Sequence, residues 1–262
     1  VLLAAGITAF VYSVGEFSTN LIAGIVTLFA AIVLLGLFAA RQLKLEHPVL
    51  NVRPMASVRF WPACLLVVVS MMTTFSMSVL LSLYFEGAYG MTALVAGLLI
   101  LPAIACNAVT SIVGGRVMDA RGAWPLLPVG FALIAVGQIA ISMTAASMNI
   151  GVVVALTVVV YAGVGLVLSP SQTAGLETLP AAEHPHGTAL LNTWNMIAAS
   201  FGPSLFIGLL SSSAATAGAA GVVTDVAQAI GFAAAVRVAA VIAVVGFATS
   251  LVYARRESHM SH

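Results

Sequence analysis

The sequence predicts an all-α polytopic membrane protein, and three observations carry that reading. Charge is scarce, apolar residues come in runs of membrane length, and the basic residues fall on alternate sides of those runs. Of 262 residues, nine are Lys or Arg and eight are Asp or Glu, which is 6%. A soluble domain carries about 25%. Hydrophobic residues make up 61%. So few charges cannot cover a water-facing surface, which excludes a soluble enzyme, a nucleic-acid binder and a disordered chain. Cys64 and Cys106 stand in apolar runs and read as small core residues, too few for a disulfide framework.

A membrane helix needs about 20 apolar residues. Residues 21–40 meet this between Asn20 and Arg41, 60–85 between Arg59 and Glu86, and 91–115 before Arg116. No charged residue occurs between Arg121 and Glu177. One helix of that length would reach ~80 Å, far beyond a bilayer. The chain must fold back, and Ser147-Met148-Asn149-Ile150-Gly151 is the best break. That gives spans 124–146 and 150–176. Residues 187–210 and 226–253 form two more, with the small, polar stretch 211–225 expected as their loop. The run 1–15 is ~22 Å long as a helix, too short to span. It lacks the basic n-region and cleavage site of a secretory signal, and it reads as the second half of a helix that starts upstream. The expectation is eight helices, the first truncated. A β-barrel is excluded, because its strands would be alternating segments of ~10 residues.

Alternate threading puts Arg41, Lys44, Arg53, Arg59, Arg116, Arg121, Arg255 and Arg256 on one side. The opposite loops hold Glu16, Glu86 and Asp225 and no base. The positive-inside rule makes the first side cytoplasmic. The expected location is therefore the plasma (inner) membrane, multi-pass, with both ends cytoplasmic. Arg237 falls inside the last span and reads as an interfacial anchor that snorkels; a buried functional charge is the sharper alternative.

After the 91–115 span comes Gly114-Gly115-Arg116-Val117-Met118-Asp119-Ala120-Arg121-Gly122-Ala123-Trp124-Pro125, read as a loop. Asp119 between Arg116 and Arg121 can hold helix ends together in one state and release them in another. Gly115 and Gly122 let backbones approach. This resembles the G-x-x-x-D-x-x-G signature of the major facilitator superfamily, with Ala120 and Trp124 where a base is common. Gly163-Val164-Gly165-Leu166-Val167-Leu168-Ser169-Pro170 follows Tyr161-Ala162. Leu179-Pro180 and Gly187-Thr188-Ala189-Leu190-Leu191-Asn192-Thr193 come next. These, with Leu45-Glu46-His47-Pro48-Val49-Leu50, resemble the drug:proton antiporters of the fourteen-helix type.

The resemblance implies a domain plan. Residues 1–40 would be two central helices and 41–58 a cytoplasmic linker. Residues 59–256 would be the C-terminal six-helix transporter lobe, built as a 3+3 inverted repeat, and 257–262 a cytoplasmic tail. The resemblance implies an N-terminal lobe that would lie outside the chain. The implied activity is proton-driven export of lipophilic or cationic small molecules by alternating access, that is, multidrug efflux. The implied partners are a small-molecule substrate, protons, the lipid bilayer and the missing lobe; no cofactor is implied. Two alternatives stand beside it: an importer of a metabolite in the same superfamily, and a membrane half-protein that transports nothing.

In that superfamily the first and fourth helices of a lobe face the cavity, here 60–85 and 150–176. On the first, Met71, Thr74, Phe75 and Ser78 share one stripe. Thioethers, an aromatic ring and hydroxyls suit varied lipophilic guests. Gln172 lies on the other helix, Asn107 mid-membrane in 91–115, and Asn192 and Asn195 at i, i+3 beside Trp194. For each, helix packing or an interhelical hydrogen bond is the ordinary alternative. Glu86 and Glu177 read as solvated interface residues rather than proton carriers. His184 and His186 lack further ligands, so no metal site is expected. With no nucleophile–base arrangement and no phosphate-cradling glycine loop, the chain does not read as an enzyme.

Overall fold

The computed structural model describes residues 5–6, 8–10, 12–13, 21–43, 55, 57, 60–123 and 125–258. Seven long helices follow: α1 Leu21–Leu43, α2 Phe60–Tyr89, α3 Ala93–Arg121, α4 Leu126–Thr144, α5 Ile150–Glu177, α6 His184–Ala219 and α7 Thr224–Ser258. Among the described residues there is no strand. Helices α2 to α7 are each long and apolar enough to cross a membrane. The described part of 5–13 is helical, and Phe10 places its ring 6.2 Å from that of Phe201 on α6. Expectations resting on Glu16, Lys44, His47, Arg53, Arg59 and Trp124 lie outside the described residues.

Within hydrocarbon every polar group needs an internal partner. The hydroxyls of Ser70, Thr74 and Thr157 accordingly donate to carbonyls four residues back, at 2.9, 2.8 and 2.7 Å. The expected break at 147–151 is present. Helix α4 gives way to a short 3₁₀ turn, Ala145–Ser147, and Met148 adopts a left-handed backbone. The Asn149 side chain then caps α5 by accepting from Val152 N at 3.2 Å.

Two ends of the bundle are defined by contacts. At one, Tyr84 near the end of α2 stacks on Phe232 near the start of α7, centroids 4.3 Å apart. Its hydroxyl donates to Ala145 O, after α4, at 2.8 Å. At the other, Tyr253 of α7 donates to Ala174 O of α5 at 2.9 Å. Phe60, Cys64, Leu179, Leu190 and Leu191 cluster there as well. The late turns of α3 lie against the second half of α5, at Gly165 and Leu166. The spans therefore alternate in direction. Arg116 and Arg121 share an end with Tyr253, and Glu86 and Asp225 share the end marked by Tyr84.

Helix α5 packs on α2, α3 and α4, and α2 packs on α5, α6 and α7. Exchanging the first three of these six helices with the last three maps most of this contact set onto itself. Glycine makes the closest crossings. A Cβ at Gly163 would sit 2.6 Å from Gly130 O of α4. One at Gly165 would strike Thr110 Oγ1 of α3. Two residues along a helix point roughly 200° apart, so the paired glycines serve two neighbours.

Three expectations are corrected. The stretch 211–225 is not a loop: α6 continues to Ala219 and only four residues separate it from α7. That stretch is rich in alanine, a strong helix former. Its hydroxyls turn back onto the helix, as Ser212 to Leu209 O and Thr216 to Ser212 O, at 3.2 and 2.8 Å. The motif at 114–121 is likewise helical, the last turns of α3. The turn begins only at Gly122, whose φ of +74° a side chain would resist. Finally, α2 runs to Tyr89, so Glu86 is a helical residue and not a loop acid.

Candidate functional site

The α2 helix has two unlike faces at its middle. Met72, Thr73, Ser76, Met77 and Leu80 are buried. The stripe Met71, Thr74, Phe75, Ser78 is the open one: Phe75 is 45% exposed and the other three are half-buried. Along the helix the open stripe continues through Val79 and Ser82 to Glu86, whose Oε1 accepts from Ser82 Oγ at 2.9 Å. Its middle carries no charge. Thioether, ring and methyl groups offer apolar contact area. The Thr74 hydroxyl is committed to Ser70 O of its own helix.

Behind this stripe stands a residue the motif reading passed over. Tyr161 on α5 is 3% exposed, and its hydroxyl donates to Thr74 O at 3.1 Å. Its own carbonyl accepts from Asn107 Nδ2 of α3 at 3.0 Å. One tyrosine thus ties three helices at mid-span. A tyrosine alone among aliphatic and glycine neighbours was the available signal, since a buried phenol needs a partner. Asn107 is accordingly engaged in a helix–helix bond, the ordinary reading of a membrane amide.

The remaining candidates are dispersed. Gln172 is half-buried on α5, beside the fully buried Ser171, whose hydroxyl has no partner among the described residues. Asn192 is exposed, while Asn195 is buried with its Oδ1 unpartnered among the described residues, so the two amides meet different surroundings. Trp194 between them donates to Met55 Sδ at 3.4 Å and meets the Trp61 ring edge-on at 6.0 Å. In the gating segment Gly115 is half-buried, and Arg116, Asp119 and Arg121 are exposed. Among the described residues Asp119 forms no ion pair with either arginine, and all three lie exposed on the last turns of α3. His184 places Nε2 3.1 Å from Leu179 O. Among the described residues no three His, Cys, Asp or Glu side chains gather as a metal site would need.

The arrangement can hold an apolar guest on an uncharged helix face. A family model described as the Major Facilitator Superfamily matches residues 1–203. The chain is 32% identical over 240 residues to an uncharacterized MFS-type transporter, YcnB, of Bacillus subtilis, covering 91% of this chain and 50% of that protein. It is 30% identical over 200 residues to a lincomycin resistance protein, LmrB, of Listeria monocytogenes, covering 76% of this chain and 42% of that protein. The LmrB of Bacillus subtilis matches at 31% over 189 residues, 72% of this chain and 39% of that one. The chain spans half or less of the length of these relatives.

Proposed function

Because the chain belongs to the major facilitator superfamily and is a multi-pass membrane protein, we propose that it is the C-terminal portion of a proton-driven multidrug exporter. In this reading residues 59–256 are one lobe of an alternating-access carrier. Residues 1–40 are the two central helices, 41–58 the cytoplasmic linker and 257–262 the tail. The N-terminal lobe, outside this chain, closes the cavity and supplies proton-coupling groups. The carrier sits in the plasma membrane with the Arg116 end cytoplasmic.

The observation that carries the proposal is the open stripe of α2. Phe75 is exposed and Met71, Thr74 and Ser78 are half-buried, while the opposite face of the same helix is buried. A lipophilic face without fixed charge discriminates by bulk, which fits export of varied apolar compounds. The lincomycin resistance proteins among the relatives support drug efflux. Export does no covalent work on its cargo, so no residue here is assigned a catalytic role.

The test uses the complete transporter in inside-out vesicles with an acidified lumen. Lincomycin or a lipophilic dye should accumulate while the gradient lasts and leak out when an uncoupler collapses it. Accumulation indifferent to the uncoupler would contradict proton drive, and no movement of any lipophile would contradict export. For sidedness, single cysteines replacing Ala120 and Ala182, in a background lacking Cys64 and Cys106, should resist impermeant thiol reagents in intact cells. Labelling from outside would reverse the orientation.

A further inference from the structure

At the end of the bundle away from Arg116, three helices enclose a groove of about 650 Å³, a volume suited to a drug-sized molecule. Each helix contributes residues at helical spacing: Leu83, Glu86 and Gly87 from α2, and Ala227 and Gln228 from α7. The third wall is the part of α6 that the sequence had assigned to a loop. There Ser211, Ala214 and Gly218 present small side chains, which leave the space open. A Cβ on Gly218 would meet nothing within 4 Å, whereas one on Gly87 would come within 3.3 Å of the Gln228 side chain. The Gln228 side chain thus lies across Gly87 and closes that wall.

Glu86 is the one charged side chain among the residues lining the groove, and most of the rest is apolar. Asp225, the other acid at this end among the described residues, is exposed beyond it. Among the described residues no Lys or Arg lines the groove to neutralise Glu86. Ser82 donates one hydrogen bond to Oε1, and a carboxylate has acceptor capacity to spare. Glu86 also stands in register with the stripe, since Val79, Ser82 and Glu86 follow Phe75 at i+4, i+7 and i+11. It therefore terminates the open stripe about 16 Å along the helix from Phe75.

We propose that this groove is a second binding site, for lipophilic monocations, in which Glu86 holds the cationic centre and the α6 wall takes the apolar body. The site rests on the transporter reading above and narrows it, since cations would gain a station at the far end of the path that neutral compounds lack. An anionic headgroup is disfavoured, because it would face a carboxylate with no compensating base.

The test measures equilibrium binding of tetraphenylphosphonium, a permanent cation, and triphenylphosphine oxide, its neutral relative, to the complete transporter in detergent. Glu86→Gln should weaken the cation by about tenfold or more and leave the neutral compound within about twofold. Glu86→Asp should retain most of the cation affinity, which separates charge loss from misfolding. Gly218→Leu, pointing into open space, should fill the groove and weaken the cation while the protein stays folded. Unchanged cation binding in Glu86→Gln, or none in the unmodified protein, would overturn the site. Gradient-driven lincomycin export surviving that result would leave the exporter reading intact; loss of export with cation binding retained would do the reverse.

Discussion

Helices α3 and α4 are adjacent in sequence and similarly apolar, yet the hydrophobic stretch of α3 is 17% buried and that of α4 56%. The same step recurs in the second half, with α6 at 22% and α7 at 50%. Apolarity therefore decides which segments enter the membrane and says little about which pack inside the lobe. Lipid tails are as apolar as leucine, so an uncovered leucine face costs nothing there. What brings α4 inside is surface shape: Gly130 and Gly137 receive Val167 and Val160 of α5. Helix α3 buries only the narrow stripe Ala96, Ile100, Ala103 and Gly114, with Gly114 against Gly165 and Leu166 of α5, and leaves Leu98, Leu101, Ile104 and Ile112 bare. In the exporter reading that bare face belongs to lipid and to the other lobe.

The comparison breaks most easily at the glycines. Gly130→Leu on α4 would drive a side chain into Val167 and the α5 backbone at Gly163. It should cost about 3 kcal/mol or more and remove most folded protein from the membrane. Gly97→Leu, where a Cβ meets open space, should leave abundance near normal. Immunoblots of membrane fractions and thermal unfolding in detergent read both. Equal losses would mean that α3 is as packed as α4.

A subtler contrast uses truncation. Phe131, fully buried on α4, should cost about 3–5 kcal/mol as Phe131→Ala. Leu101→Ala on α3, 53% exposed, should cost under about 1 kcal/mol. Melting temperatures of the two variants check this.

The open and buried faces of α2 extend the contrast to function. Met71→Ala and Phe75→Ala should each remove about 1–3 kcal/mol of contact with a lipophilic guest. They should reorder resistance to drugs of graded size while membrane abundance holds. A uniform loss that tracks abundance would return the stripe to ordinary packing.

The smallest effect is expected at the exposed end of α3. Asp119→Asn removes a charge that forms no ion pair within the described residues, so stability should shift by less than about 0.5 kcal/mol. Transport of every substrate should fall by a similar factor if Asp119 acts on conformational switching. Loss confined to one drug class would argue for substrate contact instead.

The helical membrane fold and its break at 147–151 were legible, because hydropathy, the Asn149 cap and the absence of charge all act locally. Helix ends were less so. The run 211–219 looked like a loop from its serines and threonines, but hydroxyls that bond back to the helix cost it little in an alanine-rich stretch. The motif at 114–121 was read correctly in composition and wrongly in conformation, since glycine inside a helix and glycine after it look alike in sequence. The open stripe on α2 was visible as a spacing. The Tyr161 tie was not, because its partners stand 87 and 54 residues away. Nor was the groove at Glu86, which needs three helices to form.

The most direct test of the central claim places a single cysteine at Phe75 in the complete transporter, with Cys64 and Cys106 replaced, and a matched one at Leu101. The rate of modification by a small water-soluble maleimide is then measured with and without a saturating transported compound. If the open stripe of α2 lines the path, Phe75→Cys should react and the substrate should slow that reaction several-fold, while Leu101→Cys stays indifferent to substrate. A Phe75→Cys that never reacts, or whose rate ignores every transported compound, would contradict the account.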